Sequence, residues 1–223
     1  MSRLFVTGTD TGVGKTVVTA ALAASAPGTV AALKPVASGV APGTSGADAE
    51  LLGLGAGHEP RVRVALPLPV SPHRAAAEAD RAVDLTDLVD WVDTFDADHL
   101  LVEGVGGWAV PLSWTLSVAD LAAALVAPVL IVAADRLGVL NHTLLTVRAV
   151  RAAGLPVAGV VLNTPAQPGA DDLDARRFNL ADLRELLPGV PVVACAHLEA
   201  LDRDALRRAG QALRQGLGFS PRR

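Results

Sequence analysis

The stretch TGTDTGVGKT, residues 7–16, decides the fold of this chain. A short apolar run precedes it and an alanine-rich segment follows it, so the order is strand, glycine-rich loop and helix. Such a loop binds phosphate because its glycines let consecutive backbone N–H groups point inward, at the positive end of the following helix. The sequence therefore predicts a nucleotide site that contains Gly12, Val13, Gly14, Lys15, Thr16 and Val17.

Two side chains of the loop add the remaining chemistry. Lys15 is expected to reach the terminal phosphates of a nucleotide, and Thr16 offers a hydroxyl to Mg²⁺. The common spacing puts a glycine at position 9, but Thr9 stands there and Gly8 comes one place earlier, so the loop is one residue longer. A glycine-rich turn with a solvated lysine is the alternative interpretation, and the flanking strand and helix argue against it.

Composition limits the class of protein. The 223 residues, 51% of them hydrophobic, suit one α/β domain over residues 1–223. A net charge of −4 argues against nucleic acid or an anionic membrane as a partner. Cys195 is the only cysteine, which excludes an intrachain disulfide, and its apolar neighbours predict a buried strand position. We expect a cytoplasmic protein, because no signal-peptide pattern opens the chain and the most apolar run, residues 121–134, is too short to span a membrane.

Short apolar runs alternate with helical patterns along the chain. This alternation predicts a mostly parallel sheet with helices on both faces, an α/β fold of the P-loop NTPase type. Asn141 is a good N-cap for a helix to residue 153, and helices are also expected at residues 180–187, after a polar loop, and at residues 202–217. The strands predicted after the first one are residues 29–33, 62–66, 99–102, 128–134, 157–162 and 191–196.

Charged residues stand at the predicted ends of two buried strands. Lys34 follows the strand at residues 29–33, and Glu103 follows the strand at residues 99–102. The carboxyl ends of parallel strands face the ligand crevice, and Mg²⁺ needs only one or two carboxylates, so Glu103 is a candidate metal ligand. Alternatively, Lys34 extends into solvent and Glu103 lies in a hairpin; Asp48 by itself indicates only the first turn of a helix.

Seven stretches occur together in this chain: TGTDTGVGKT (7–16), KPVASG (34–39), GAD (46–48), SPH (71–73), VEGVGGW (102–108), LGVLNHTLLT (137–146) and the strand-end Asn163. In this order they resemble the dethiobiotin synthetase family, which also has the one-residue extension of the phosphate loop. The resemblance covers nearly the whole length and is weaker in the C-terminal quarter.

The resemblance implies an ATP- and Mg²⁺-dependent ligase of biotin biosynthesis that acts on 7,8-diaminononanoate and CO₂. One amine traps CO₂ as a carbamate, whose oxygen attacks the γ-phosphorus of ATP to give a carbamic-phosphoric anhydride. The second amine then closes the ureido ring of dethiobiotin, and phosphate leaves. Because two anions must meet, cationic side chains are expected at the site.

The resemblance also implies roles for particular residues. Lys34, Lys15 and Thr11 are the implied catalytic residues, and Ser38 is expected near the substrate amine. The implied Mg²⁺ ligands are Thr16, Asp48 and Glu103. The other implied nucleotide contacts are Gly104, Val105 and Gly106, with Asn163 and Pro191 beside the adenine.

The family is further similar in being dimeric. The resemblance therefore implies a homodimer in which Gly138 and Asn141, before and in the start of a helix, receive the substrate carboxylate from the partner subunit. Gly12 departs from the family, since many members have an acidic residue at that position.

Two other functions of related proteins stay open. A partitioning or scaffold ATPase of the same fold usually carries an extra lysine early in the phosphate loop, where this chain has Asp10 and Thr11. An amide-forming relative that acts on corrinoid carboxylates usually carries a glutaminase domain, for which this chain has no room.

Overall fold

The computed structural model describes residues 2–164 and 172–219. Its centre is one seven-stranded sheet, in which every pairing between neighbouring strands is parallel. The strands are β1 (Ser2–Gly8), β2 (Val30–Ser38), β3 (Val62–Leu66), β4 (His99–Gly107), β5 (Val129–Ala134), β6 (Val157–Asn163) and β7 (Val192–Cys195). The helices are α1 (Lys15–Ser25), α2 (Ala47–Ala56), α3 (Pro72–Glu78), α4 (Leu85–Asp93), α5 (Val118–Ala124), α6 (Val139–Ala152), α7 (Asp172–Leu186) and α8 (Arg203–Leu217).

The strand order places the phosphate loop at the middle of the sheet. The order is β3-β2-β4-β1-β5-β6-β7, so β1 lies between β4 and β5. Successive side chains of a strand point to opposite faces, and accordingly Phe5 and Val6 belong to two different core clusters. One cluster includes residues of α1, α2 and α8, and the other includes residues of α3 to α7. The predicted parallel sheet covered on both faces is confirmed.

Two strands are longer than the sequence predicted. β2 continues through Lys34 to Ser38, and β4 continues through Glu103 to Gly107, so both charged residues lie inside strands. The pairing explains the difference. β2 is paired with β4 only as far as Leu33 and with β3 from Lys34 onward, so beyond Leu33 the two strands separate. The space between them accommodates the two charged side chains.

Two helices begin earlier than the sequence predicted. The N-cap of α6 is Gly138, with φ of 87°, and Asn141 lies in the first turn, so the prediction of Asn141 as N-cap is wrong. Val139 is 2% exposed, and its burial favours a helix that begins before Asn141. α7 begins at residue 172 rather than at residue 180, because contacts of its first turns with the end of β5 stabilise a polar segment. Residues 165–171 of the predicted polar loop lie outside the described residues.

Arginine side chains donate to backbone carbonyls of both edge strands. Arg81 donates to the carbonyls of Ala65 (3.1 Å) and Arg63 (3.4 Å) in β3. Arg184 donates to the carbonyl of Val192 in β7 at 3.0 Å. Charged groups at an edge oppose pairing with another strand, so the sheet is protected at both ends. Among the described residues, no helix is long and apolar enough to cross a membrane.

Candidate active site

The phosphate loop joins the end of β1 to the start of α1. Gly12 and Gly14 have φ of 73° and 92°, a left-handed conformation that favours glycine. A Cβ at Gly14 would also lie 2.1 Å from the amide nitrogen of Asn163, so a side chain there would displace the Asn163 amide. No side chain caps α1 and no acidic residue lies in its first turn. The N–H groups of that turn are therefore available to an anion.

Lys15 is buried at the start of α1, with 6% of the residue exposed. Its ammonium donates to the carbonyl oxygen of Asp10 at 3.3 Å, which folds the side chain back over the loop. Burial, together with the nearby Lys34 ammonium, lowers the pKa of Lys15 from 10.5 to about 8, against the opposing effect of nearby carboxylates. A phosphate in the loop would restore the favourable surroundings of this cation.

Lys34 lies in the middle of β2, and only 1% of it is exposed. Its ammonium is 2.6 Å from Asp48 Oδ2 and 2.6 Å from Glu103 Oε1, and it also donates to the carbonyl of Gly104 at 3.3 Å. Burial by itself lowers the pKa of Lys34, but Glu103 and Asp48 outweigh that effect, so the net pKa is raised. The side chain therefore stays a cation inside the protein.

Thr16, Asp48 and Glu103 converge as the sequence predicted. Thr16 Oγ1 lies 3.0 Å from Asp48 Oδ1 and 2.9 Å from Glu103 Oε1. Glu103 is fully buried, and its other oxygen, Oε2, has no hydrogen-bond partner. Burial raises the pKa of Asp48, but the Lys34 ammonium outweighs this and holds it below its ordinary value.

These oxygens suit Mg²⁺. A hydroxyl and two carboxylates are hard ligands, and an unpartnered carboxylate oxygen in a buried position is a ready acceptor for a cation. The described residues contain no group of three or more His, Cys, Asp and Glu side chains that could hold a metal. A metal that keeps several waters is therefore a better fit than one that needs a complete protein cage.

A cavity of about 480 Å³ lies in front of these side chains. It brings together residues that the sequence separates by almost a hundred positions, from the phosphate loop, β2, α2 and β4. Gly104, which the sequence also indicated, contacts this group through its carbonyl bond to Lys34. The lining residues that the sequence predicted are Thr11, Gly12, Gly14, Lys15, Thr16, Val17, Lys34, Ser38, Asp48, Val105 and Gly106.

A second cavity, of about 420 Å³, lies on the other side of the loop. Its floor is formed by residues 9–11, and one wall by residues 107–111 after β4. The opposite wall comes from α6, through Leu145, Thr146 and Ala149. Thr11 lines both this cavity and the 480 Å³ cavity, so the two meet at the phosphate loop. Local sequence patterns did not indicate these α6 residues, because they join the site only through the strand order.

A smaller pocket of about 200 Å³ lies at the carboxyl ends of β6 and β7. Asn163 lines it and donates its side-chain amide to the carbonyl of Val13 at 3.0 Å, which ties the pocket to the phosphate loop. The sequence did not predict His197 and Leu198, which also line the pocket just beyond the end of β7.

The structure does not bring Pro191 to the pocket that Asn163 lines, although the sequence predicted both residues beside the adenine. Pro191 precedes the first residue of β7, and the pairing of Asn163 with Cys195 puts Asn163 beside the last residue of that strand. Pro191 therefore lies at the opposite end of the sheet from the pocket. Motif order placed Pro191 in the right segment, but only the strand register shows which end of the segment faces the ligand.

A chain of polar contacts links the phosphate loop to the start of α6. Asp10 accepts from the backbone N–H of Thr11 at 2.7 Å and from the guanidinium of Arg136 at 3.1 Å. The carbonyl of Arg136 accepts from Asn179 of α7 at 3.4 Å. Gly138 and Asn141 lie exposed just beyond Arg136 and line neither the 480 Å³ cavity, the 420 Å³ cavity nor the 200 Å³ pocket.

Comparison with known proteins agrees with this geometry. The family described as "AAA domain" matches residues 2–203. ATP-dependent dethiobiotin synthetase BioD of Rhodococcus jostii (strain RHA1) is 47% identical over 202 residues, covering 86% of this chain and 85% of the relative. The protein with the same description in Saccharopolyspora erythraea is 46% identical over 197 residues, covering 86% of each. The one in Anaeromyxobacter sp. (strain Fw109-5) is 41% identical and covers 89% of this chain and 91% of the relative.

Solved structures with low sequence identity share the fold. A plasmid partition protein of Borrelia burgdorferi, bound to AMPPNP, superimposes with a TM-score of 0.55 at 12% identity, covering 98% of this chain and 99% of that one. McdA of Cyanthece superimposes with a TM-score of 0.54 at 17% identity, covering 98% of this chain and all of the other. At these identities the similarity is evidence for the architecture alone.

Proposed function

The chain belongs to the ATP-dependent dethiobiotin synthetase family, and from this premise we propose that it converts 7,8-diaminononanoate, CO₂ and ATP into dethiobiotin, ADP and phosphate. It is accordingly an ATP-dependent ligase of the P-loop fold, as its sequence motifs predicted. The part that each residue plays in that reaction depends on how the cavities and their charged side chains are arranged.

One observation supports the assignment of the 480 Å³ and 420 Å³ cavities. Thr11 lines both of them, so a diamine in the 420 Å³ cavity reaches the 480 Å³ cavity at the phosphate loop. The first cavity has apolar walls, including Trp108, Val110 and Leu145, that suit an aliphatic chain. The second has the cations that suit phosphates. A carbamate on the diamine would thus face the last phosphate of ATP, which is the encounter that the reaction requires.

Positive charge is the main catalytic contribution of the protein. Lys15 and the N–H groups at the start of α1 would hold the nucleotide phosphates. Lys34 would lie between the carbamate oxygen and the γ-phosphate, where two anions must approach each other. Preorganised charge of this kind usually supplies most of the rate enhancement in phosphoryl transfer. Thr11 and Ser38 place hydroxyls at the same cavity for the carbamate and the second amine.

Thr16, Asp48 and Glu103 would hold Mg²⁺ with the nucleotide phosphates, and Mg²⁺ supplies neutralisation of phosphate charge there. The fit rests on the convergence of these three side chains and on the unpartnered Oε2 of Glu103. Asn163 would bind the edge of the base from the 200 Å³ pocket, while its hydrogen bond to the Val13 carbonyl holds the phosphate loop in position.

We further propose a homodimer in which α6 of the partner receives the substrate carboxylate. The N-terminus of α6 has no side-chain cap and no acidic residue in its first turn. The Val139 N–H donates to the Arg136 carbonyl at 3.2 Å, which leaves the N–H groups of Leu140 and Asn141 for a carboxylate. Leu137, just before α6, and Leu145, halfway along it, are 65% and 54% exposed, which suits a contact surface. Gly138 and Asn141 would lie at the carboxylate, consistent with their absence from the 480 Å³ and 420 Å³ cavities of the same chain.

The reaction can be tested with purified protein, diaminononanoate, bicarbonate, ATP and Mg²⁺. Phosphate and ureido product are expected to form in equal amounts. The matched control replaces the diamine with an analogue that lacks one amine and cannot close the ring, and it should give no ureido product. Phosphate release at the same rate without any diamine would contradict the proposal and favour a nucleotide-switched partitioning ATPase.

A further inference from the structure

Lys34 has no proton left for a substrate in the geometry that the structure shows. An ammonium carries three N–H donors. Here they meet Asp48 Oδ2 and Glu103 Oε1, both at 2.6 Å, and the carbonyl of Gly104 at 3.3 Å. Lys34 must therefore leave these partners before it can bridge a carbamate and a phosphate. The partners that it leaves include both carboxylates of the proposed metal site.

The ammonium and a divalent cation would compete for the same two carboxylates. Glu103 Oε1 is contacted by both Lys34 and Thr16, and Asp48 offers one oxygen to each of them. A metal held by Thr16 Oγ1 would bind the same two carboxylates through their other oxygens, Asp48 Oδ1 and the unpartnered Glu103 Oε2. Two cations on the same pair of carboxylates repel each other, so each weakens the binding of the other.

Burial strengthens the competition between the two cations. Glu103 is fully buried and Lys34 is 1% exposed, so water cannot screen the charge of either residue. Two neighbouring carboxylates without a cation between them would repel each other in such a place. Asp48 is half-exposed, so the buried Glu103 is the carboxylate that depends most on a neighbouring cation.

We infer that Lys34 is a built-in counter-cation, which holds Asp48 and Glu103 together until a nucleotide arrives with Mg²⁺ and then exchanges places with the metal. The inference rests on the metal ligands named in the proposed function. The nucleotide matters because its phosphates supply new negative charge for the displaced ammonium. Free Mg²⁺ brings no such anion, so the protein alone should bind the metal weakly.

The position of Lys34 in the sheet suits such an exchange. Its backbone is fixed in β2 by pairing with β3, while its four-carbon side chain is flexible. The side chain lines the 480 Å³ cavity together with Lys15 and Thr11. The ammonium can thus move from the carboxylates to the phosphates by side-chain rotation alone, with no change in the sheet.

The inference can be tested by titrating the full-length protein with Mn²⁺ alone, without nucleotide or diamine, and counting free Mn²⁺ by electron paramagnetic resonance. Lys34→Met keeps the length of the side chain and removes its charge. We expect it to bind Mn²⁺ at least about tenfold more tightly than the wild type, since a unit charge at contact distance is worth more than that. Lys34→Arg keeps the charge and should bind as weakly as the wild type.

Lys15→Met is the matched control, because Lys15 is a nearby buried cation that bonds to the Asp10 carbonyl and not to the carboxylates. If general repulsion sets the affinity, Lys15→Met and Lys34→Met will strengthen Mn²⁺ binding equally, and the inference is overturned. It is also overturned if Lys34→Met binds Mn²⁺ no better than the wild type.

Loss of folding in Lys34→Met is also an informative result. If that variant is unfolded alone by circular dichroism, Mn²⁺ should restore its fold, because the metal can take the place of the ammonium between the carboxylates. Failure of Mn²⁺ to restore it would count against the inference. None of these measurements uses the diamine or turnover, so a failed ureido assay would refute the proposed function without changing this result.

Discussion

The carboxyl edge of the sheet has two halves that bury charge in different ways. In the phosphate half, at β1, β2 and β4, Lys34 and Glu103 are 1% and 0% exposed and pair with each other. In the base half, at β5 to β7, Asp135 is 9% exposed and pairs with Arg176 and Asn179 of α7. In the phosphate half, the buried charges are neutralised by other groups that would bind the ligands. In the base half, the buried charge is neutralised by side chains of a packed helix.

This difference shows how a buried charge can serve two purposes. A charge whose partner is another ligand-binding group can be transferred when a ligand arrives. A charge whose partners are fixed by helix packing stays where it is and holds the backbone in place. Substitutions in the phosphate half are therefore expected to lower catalytic activity, and substitutions in the base half to lower stability and nucleotide affinity. Substitutions in the two halves should accordingly differ in kind, and the largest effect is expected at Lys34.

Lys34→Met should lower kcat roughly 10³-fold or more, because it removes the cation placed where two anions meet. Steady-state formation of ureido product measures the effect. The control is Arg63→Met on the neighbouring strand β3, where an exposed guanidinium pairs with Asp87, and it should leave kcat unchanged. Near-normal turnover in Lys34→Met would exclude this residue from the mechanism. It would also contradict the proposed difference between the two halves.

Asp135→Asn should act on stability rather than on turnover. It removes the charge that holds Arg176 and so is expected to destabilise the fold by about 1–3 kcal/mol, as for a buried polar group that loses its partner. Urea denaturation measures the change. The exposed Asp174 of the same helix, which pairs with Arg177, is the control: Asp174→Asn should change the free energy of unfolding by less than about 0.5 kcal/mol. A large fall in kcat with unchanged stability for Asp135→Asn would contradict the division.

Asn163→Ala should raise KM for ATP about tenfold with little change in kcat, because it removes one hydrogen-bonding group from the base pocket and from the loop carbonyl of Val13. Measuring KM for both ATP and GTP separates the two contributions. If Asn163 recognises the base, its loss should lower the ratio of KM for GTP to KM for ATP. If its loss only loosens the loop, KM should rise by the same factor for both nucleotides. An unchanged KM for ATP would exclude Asn163 from nucleotide binding.

The smallest predicted effect is a pH dependence of stability through His58. Its Nε2 accepts from the N–H of Ala32 in β2 at 3.1 Å, and its Nδ1 faces the carbonyl of Glu59 at 2.7 Å, so only the neutral ring with a proton on Nδ1 satisfies both. Burial, and then the nearby Arg61, lowers the pKa of His58 below its ordinary 6.5, against the opposing bond to Glu59.

The sign of that effect depends on proton binding. Near its ordinary pKa the unfolded state binds more protons than the folded state, so the free energy of unfolding falls as pH drops through 6.5 and stops changing below the folded pKa. Urea midpoints measured between about pH 8 and about pH 5 should show this slope. In His58→Gln, whose amide oxygen can accept from Ala32, the slope should be smaller. An equal slope in that variant would assign the pH dependence to other groups.

Much of this protein could be predicted from local patterns. The loop from Gly8 to Thr16, the alternation of strands and helices, and the residue types of the phosphate half are all determined by the order of the chain. Each depends on neighbours in sequence: glycines in the loop, apolar runs in strands, and a helix directly after the loop. The physical reason is that backbone conformation and the N-terminus of a helix are set within a few residues.

Other features were decided only by the tertiary structure. Lys34 and Glu103 are 69 positions apart, and they form a pair because the strand order puts β2 beside β4 and then lets the two separate. The register of β7 places Pro191 away from the base pocket, and the strand order brings α6 to the substrate cavity. Strand order and register depend on how whole surfaces pack against each other. The sequence therefore shows which charged residues the protein has, and only the packing of the folded chain determines which of them form pairs.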